Sequence, residues 1–160
     1  MQTVQAVLHE PDSPLTHGAP RYPQPAGHRL AAEPVLRRTL LPVEIVVAGS
    51  LCDMVPDLAR SWVRLLGTVE SMDTLYDSVD AVLAPLAFST GLKIKVGEAL
   101  ARGKALISHA HAFEGYVPGH AFHACADFPA MVRAIEAIAR DPSLLDVLEQ
   151  ASADSAARTR

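Results

Sequence analysis

The chain has 160 residues and a formal net charge of −4 at pH 7, with 49% hydrophobic but only 5% aromatic residues. That length suits one domain whose core is built from Ala, Val, Leu and Ile, and the charge implies no broad basic face for nucleic acid. No apolar run approaches the ~20 residues of a membrane span, and the N-terminus lacks the basic and hydrophobic blocks of a signal peptide.

Two unlike regions follow one another. Residues 1–28 are expected to be irregular. Between 9 and 28 stand five prolines (Pro11, Pro14, Pro20, Pro23, Pro25) and three histidines, with no hydrophobic period. The segment Thr3–Leu8 is the one stretch there that could form a strand. From about residue 29 to 160 the pattern is regular. Leu30 to Leu40 reads as a helix if Pro34 sits in its first turn. Glu44–Ala48 is a buried-type strand ending in Gly49-Ser50, and Asp57–Arg60 a short helix. Trp62–Leu66 is the next strand, closed by Gly67. Ser71 is placed to cap a helix that runs to about Asp77, with Leu75 and Tyr76 inward.

Asp80–Ala84 is a further strand. After Pro85 and the small-residue turn Ser89-Thr90-Gly91 a helix opens, with Ile94, Gly97 and Ala101 sharing a face and Gly103 as its stop. Ala105–Ser108 and Phe122–Cys125 read as two more strands. Asp127 and Pro129 start a helix to about Arg140, with Val132, Ile135 and Ile138 inward; Asp141-Pro142 starts a last one to about Ala157. Strands alternating with helices predict an α/β fold, a Rossmann-like parallel sheet with helices on both faces. Ligands bind such sheets beyond the carboxyl ends of the strands. Gly49-Ser50, Gly67-Thr68, Ser89–Lys95 and His109–Gly115 all lie there.

The turn before Lys93 carries the strongest chemical signal. A helix start leaves unpaired N–H groups aimed outward, so it can hold an anion. All three lysines of the chain, Lys93, Lys95 and Lys104, fall in this stretch, while the other eleven basic residues are arginines. Lysines in a first turn oppose the helix dipole, which argues for an anionic ligand there. Positions i and i+2 diverge on a helix, so one of Lys93 and Lys95 makes the contact. Glu98, one turn further in, either accepts hydrogen bonds from ligand hydroxyls or pairs with Arg102 at i+4.

His109, His111, His120, His123 and Cys125 crowd together, but their spacing matches no zinc pattern, and no metal is expected. His109 and His111 are candidates for the cleft; Glu114-Gly115 is either part of it or a plain turn. Trp62 and Tyr76 are core residues, and Arg37-Arg38 a solvated helix face. Cys52 and Cys125 lie far apart with no CxxC partner, which suits reduced thiols in a cytoplasmic protein.

Residues 44–146 resemble the C-terminal, nucleotide-sugar-binding half of GT-B type glycosyltransferases of the group 1, or family 4, kind. The carriers are Val46-Val-Ala-Gly-Ser50, Leu66-Gly-Thr-Val69, Leu75–Pro85, Thr90–Ala99, Gly103–Ser108 and Glu114-Gly115, in that order. The resemblance implies a donor site: Gly67, Thr68, Val69 and Leu75 at the nucleotide base, Thr90, Gly91, Leu92, Lys93 and Lys95 at the diphosphate, and Glu98 on the ribose. It implies hexosyl transfer from a nucleoside diphosphate sugar as substrate, with no further cofactor. Thr90 stands where many relatives have a glutamate that contacts the donor sugar. The upstream Arg and Lys that often clamp the phosphates are not found in residues 1–43, and the acceptor-binding N-terminal half has no counterpart. A separate acceptor-binding half or chain is the expected partner. The alternative is a non-catalytic nucleotide-binding or interaction module, either a decayed fragment or a subunit of a split enzyme. A receiver-like domain ranks last, because it needs acidic residues at strand ends that hold Gly49-Ser50 and Gly67.

Overall fold

A computed structural model of the chain describes residues 4–9, 43–49, 51–54, 56, 62–87 and 93–159. The expected helices at 30–40 and 57–60, the Pro-rich stretch beyond His9, and the turn 88–92 with Thr90, Gly91 and Leu92 lie outside these residues. Five strands form one sheet: β1 (Val4–His9), β2 (Val43–Ala48), β3 (Val63–Gly67), β4 (Ala81–Ala84) and β5 (Ala105–Ser108). Their spatial order is β3-β2-β1-β4-β5 and every pairing is parallel. The central strand β1 sets Ala6 opposite both Ile45 and Ala81. The helices are α1 (Leu51–Met54), α2 (Met72–Asp77), α3 (Ile94–Ala101), α4 (Phe128–Arg140) and α5 (Leu144–Arg158).

Burial follows from the parallel topology. A sheet covered on both faces makes its inner strands apolar throughout rather than alternating. β4 and β5 are buried at every position, and β2 at all but Glu44. Alternate residues feed two cores. Ile45, Val47, Leu83 and Ile107 meet Met131, Ile135 and Ile138 of α4 and Leu148 of α5. Val46, Val82 and Leu106 meet Leu75 and Tyr76 of α2 and Val96, Ala99 and Leu100 of α3. β3 is an edge strand and alternates, with Arg64 exposed and paired to Glu44 at 3.1 Å. Beyond β5 the edge carries a bridge from His109 to Cys125, in which the Cys125 N–H donates to the Ser108 carbonyl and the Ala110 N–H to the Cys125 carbonyl, each at 2.8 Å.

Three expectations need correction. Phe122–Cys125 is not a strand. Ala121–Ala124 is a 3-10 turn, because the His120 Nδ1 accepts the Phe122 N–H at 3.1 Å and closes the chain locally. The buried face of α3 is Lys95, Val96, Ala99 and Leu100, whereas Ile94 is 49% exposed and Ala101 also faces solvent. Both sets fit helical spacing, and the sheet takes the one with two branched side chains. The last helix starts at Leu144 with Ser143 as its cap residue, so Pro142 precedes its first turn. Ser71 caps α2 and Asp127 caps α4 through their side chains, as their sequence positions imply. Gly103 follows α3 at φ +62°, a conformation that suits glycine.

Candidate functional site

The strand order reverses between β1 and β4, and the carboxyl ends there border the crevice where open parallel sheets bind ligands. The chain leaving β4 returns as α3, whose cap residue is Lys93. Lys93 makes no side-chain cap, and the first turn of α3 holds no acidic residue. Among the described residues of its first turn no carboxylate offsets the positive end of α3, and two lysines add charge to it. Those lysines diverge. Lys95 is 8% exposed, buried with Val96, while Lys93 is half-buried and reaches the loop after β5.

Glu98 is half-buried in the middle of α3, and its Oε2 accepts the Tyr76 hydroxyl at 3.4 Å. Burial, and then the neighbouring Glu98, push the Tyr76 phenol far above its ordinary range; Arg102 opposes this weakly. The phenol therefore stays protonated and can serve as a donor to the carboxylate. Arg102 does not pair with Glu98. It pairs with Asp73 and lies over the Tyr76 ring, 4.8 Å from its centroid. The simple i, i+4 ion pair is thus replaced by a cluster in which a buried phenol orients Glu98.

The loop after β5 supplies the third side. His109 caps the 3-10 turn Ala110–Phe113, its Nδ1 accepting the His111 N–H at 3.1 Å. Burial lowers the His109 pKa, the nearby His111 adds to this, and Asp127 opposes it. Lys93 Nζ lies 3.1 Å from His111 Nε2, and His111 Nδ1 lies 3.1 Å from Glu114 Oε1. Tyr116 donates its hydroxyl to the Lys93 carbonyl at 3.3 Å. The structure thus brings Lys93, His111 and Glu114 together, with His109 one step behind.

Of the residues expected at a base, Gly67, Thr68 and Val69 form the turn at the end of β3. Gly67 has φ +66°, and its N–H donates to the Cys52 sulfur at 3.2 Å. Val69 packs on the same core cluster as Tyr76, and Leu75 is buried in that cluster. Tyr76 and Tyr116 are the site residues that sequence reasoning missed. The signal for both is a hydroxyl on an otherwise apolar position, which needs a partner when buried. The buried His123 belongs elsewhere. It stacks on Phe113 and is surrounded by Ser152, Ser155 and the Gly119 N–H. Among the described residues no group of three or more His, Cys, Asp and Glu side chains is arranged to hold a metal ion.

The sequence model of the family described as "Glycosyl transferases group 1" matches residues 21–141, well over half of the chain. The chain belongs to this family of glycosyl transferases. Its fold is the Rossmann-like sheet of one GT-B half. The group 1 match is joined by a likeness to a solved structure, the crystal structure of Anabaena Alr3699/HepE in complex with UDP and glucose. The TM-score is 0.63 and the identity 14%, over 98% of this chain and 44% of that one. This group 1 chain therefore spans less than half the length of that neighbour, and at that identity the likeness concerns the fold. No curated protein matches it. Among its described residues, no helix is long and apolar enough to cross a membrane.

Proposed function

We propose that the chain is the donor-binding half of a group 1 glycosyltransferase, taking a nucleoside diphosphate sugar for hexosyl transfer. The observation that carries this reading is the geometry around α3. A lysine stands at an acid-free helix start, and a carboxylate one turn further in is oriented by a buried phenol. In this reading Lys93 and the turn Thr90-Gly91-Leu92 hold the diphosphate, while Lys95, buried beside Val96, adds its charge to the helix start without reaching the ligand. Glu98 accepts from the ribose hydroxyls, and Gly67, Thr68 and Val69 border the base, with Leu75 supporting that loop from the core. His109, His111 and Glu114 line the far wall. Negative charge develops on the departing diphosphate during transfer. The helix start and the ammonium groups oppose it with dipoles and charge already in place.

The described residues offer no nucleophile or general base with a defined role. An acceptor-binding half, on another chain or segment, completes the cleft in this account. The solved neighbour holds UDP and glucose, which makes UDP the first probe. UDP at about 100 times its Kd should raise the unfolding free energy by about 2.7 kcal/mol. Absence of any shift across UDP, GDP and ADP contradicts the reading. The purified chain alone should show little or no transfer in a radiolabelled donor assay, and turnover by the chain alone refutes its incompleteness.

A second reading, a non-catalytic nucleotide-binding module, is favoured by Thr90 at the sugar-contacting position and by the missing upstream clamp. The two readings part when an acceptor-binding half is supplied: the enzyme half gains turnover, and the module binds nucleotide without it.

A further inference from the structure

We propose that Glu114 and His111 are positioning residues for Lys93, and that together they fix its ammonium group where the diphosphate is held. This rests on the donor-site reading above. An ammonium group only donates and an ionised carboxylate only accepts. His111 lies between them, 3.1 Å from each. One neutral tautomer satisfies both neighbours. The Nδ1–H donates to Glu114, and the Nε2 lone pair accepts from Lys93. The other tautomer sets an N–H against the ammonium and a lone pair against the carboxylate. Glu114 therefore selects the form of His111 that can hold the lysine.

The imidazole is itself fixed. The His111 N–H donates to the His109 Nδ1 at 3.1 Å, the following Ala112 and Phe113 are buried, and the Glu114 N–H returns to the His111 carbonyl at 3.3 Å. The same loop also holds the main chain of Lys93, through the Tyr116 hydroxyl on its carbonyl at 3.3 Å. One short segment, 109–116, thus grips both the backbone and the ammonium of the residue at the mouth of α3. A lysine stem that engages a phosphate from many rotamers loses that freedom on binding; one held beforehand loses less, and binding gains by the difference.

The test is a double-mutant cycle on the whole chain, read by calorimetric titration with UDP. His111→Ala should weaken UDP binding about three- to tenfold. In a Lys93→Ala background the same change should have almost no effect. His111→Gln, whose amide oxygen can accept from the ammonium, should restore most of the affinity, and Glu114→Ala should weaken it in the same sense as His111→Ala. A structural role alone would lower affinity equally in both backgrounds, and that additivity overturns the proposal. A second measurement needs no ligand. Nitrogen-15 NMR of the free chain at a pH where imidazoles are neutral should find His111 protonated on Nδ1 and His109 on Nε2. His111 protonated on Nε2 overturns the positioning role alone. A wild-type chain that does not bind UDP overturns the donor-site reading and this assignment with it.

Discussion

In the proposed donor site Glu98 accepts from ribose hydroxyls, a role that needs it held still, and it is held by a phenol that cannot ionise in the usual pH range. Tyr76→Phe should cost about 1 kcal/mol of stability in urea denaturation. It should also weaken UDP binding several-fold, because Glu98 loses its orienting donor; unchanged affinity would separate the phenol from the site. The position of Glu98 on a helix that follows a strand and the lysine pair was legible in the sequence. Tyr76 was not, because its position fits an apolar helix face and its partner stands 22 residues away. His123 sets a second expectation. Burial, aided by His120, lowers its pKa from 6.5 to about 4. The unfolded chain therefore binds more protons between those two values. Stability is complete above about pH 6.5 and falls by about 1.4 kcal/mol per unit as pH drops toward 4, with His109 acting in the same direction. Urea titrations at about pH 7.5 and about pH 5.5 should differ by about 1 kcal/mol, and His123→Gln should remove most of that difference. A wild-type stability flat across this window contradicts the account.

The elements rest on caps and on one close approach. Asp127 Oδ1 accepts the Ala130 N–H at 2.7 Å, so Asp127→Ala should destabilise the chain by about 1 kcal/mol without changing UDP affinity. Gly97 on α3 has a different meaning. A Cβ there would stand 2.7 Å from the Tyr116 hydroxyl oxygen. Gly97→Ala should raise helix propensity by up to about 1 kcal/mol while pushing Tyr116 off the Lys93 carbonyl. The expected outcome is an unchanged or higher melting temperature with weaker UDP binding, a split that a packing defect alone would not give. Element types were readable where period and caps agree, as in α2, α4 and the four strands from β2 to β5. The segment after His120 misled because a short apolar run looks alike in a strand and in a 3-10 turn. What decides it is a histidine nitrogen accepting a main-chain N–H two residues on. The α3 face misled because two stripes share its spacing, and only the sheet chooses between them.

At the scale of the molecule, β1 joins two wings that share no other strand among the described residues. Its backbone pairs with β2 from Val4 to His9 and with β4 from Ala6 to Leu8. Removing residues 1–9 should abolish cooperative thermal unfolding, since it leaves two unpaired inner edges; a sharp transition in the truncated chain would contradict the topology. The parallel sheet was legible because strands alternate with helices, and Thr3–Leu8 was the N-terminal stretch that could join it as a strand. The meeting of the α3 start with the loop after β5 was not, since Lys93 and His111 stand 18 residues apart in the chain. The central claim is that α3 presents a nucleotide site, with Glu98 on the ribose. Its most direct test is calorimetric titration of UDP into the wild-type chain and into Glu98→Ala. The account predicts saturable binding by the wild type, and an affinity at least about tenfold lower in the variant, as fits loss of a charged acceptor. Equal affinities, or no binding by the wild type, would contradict it.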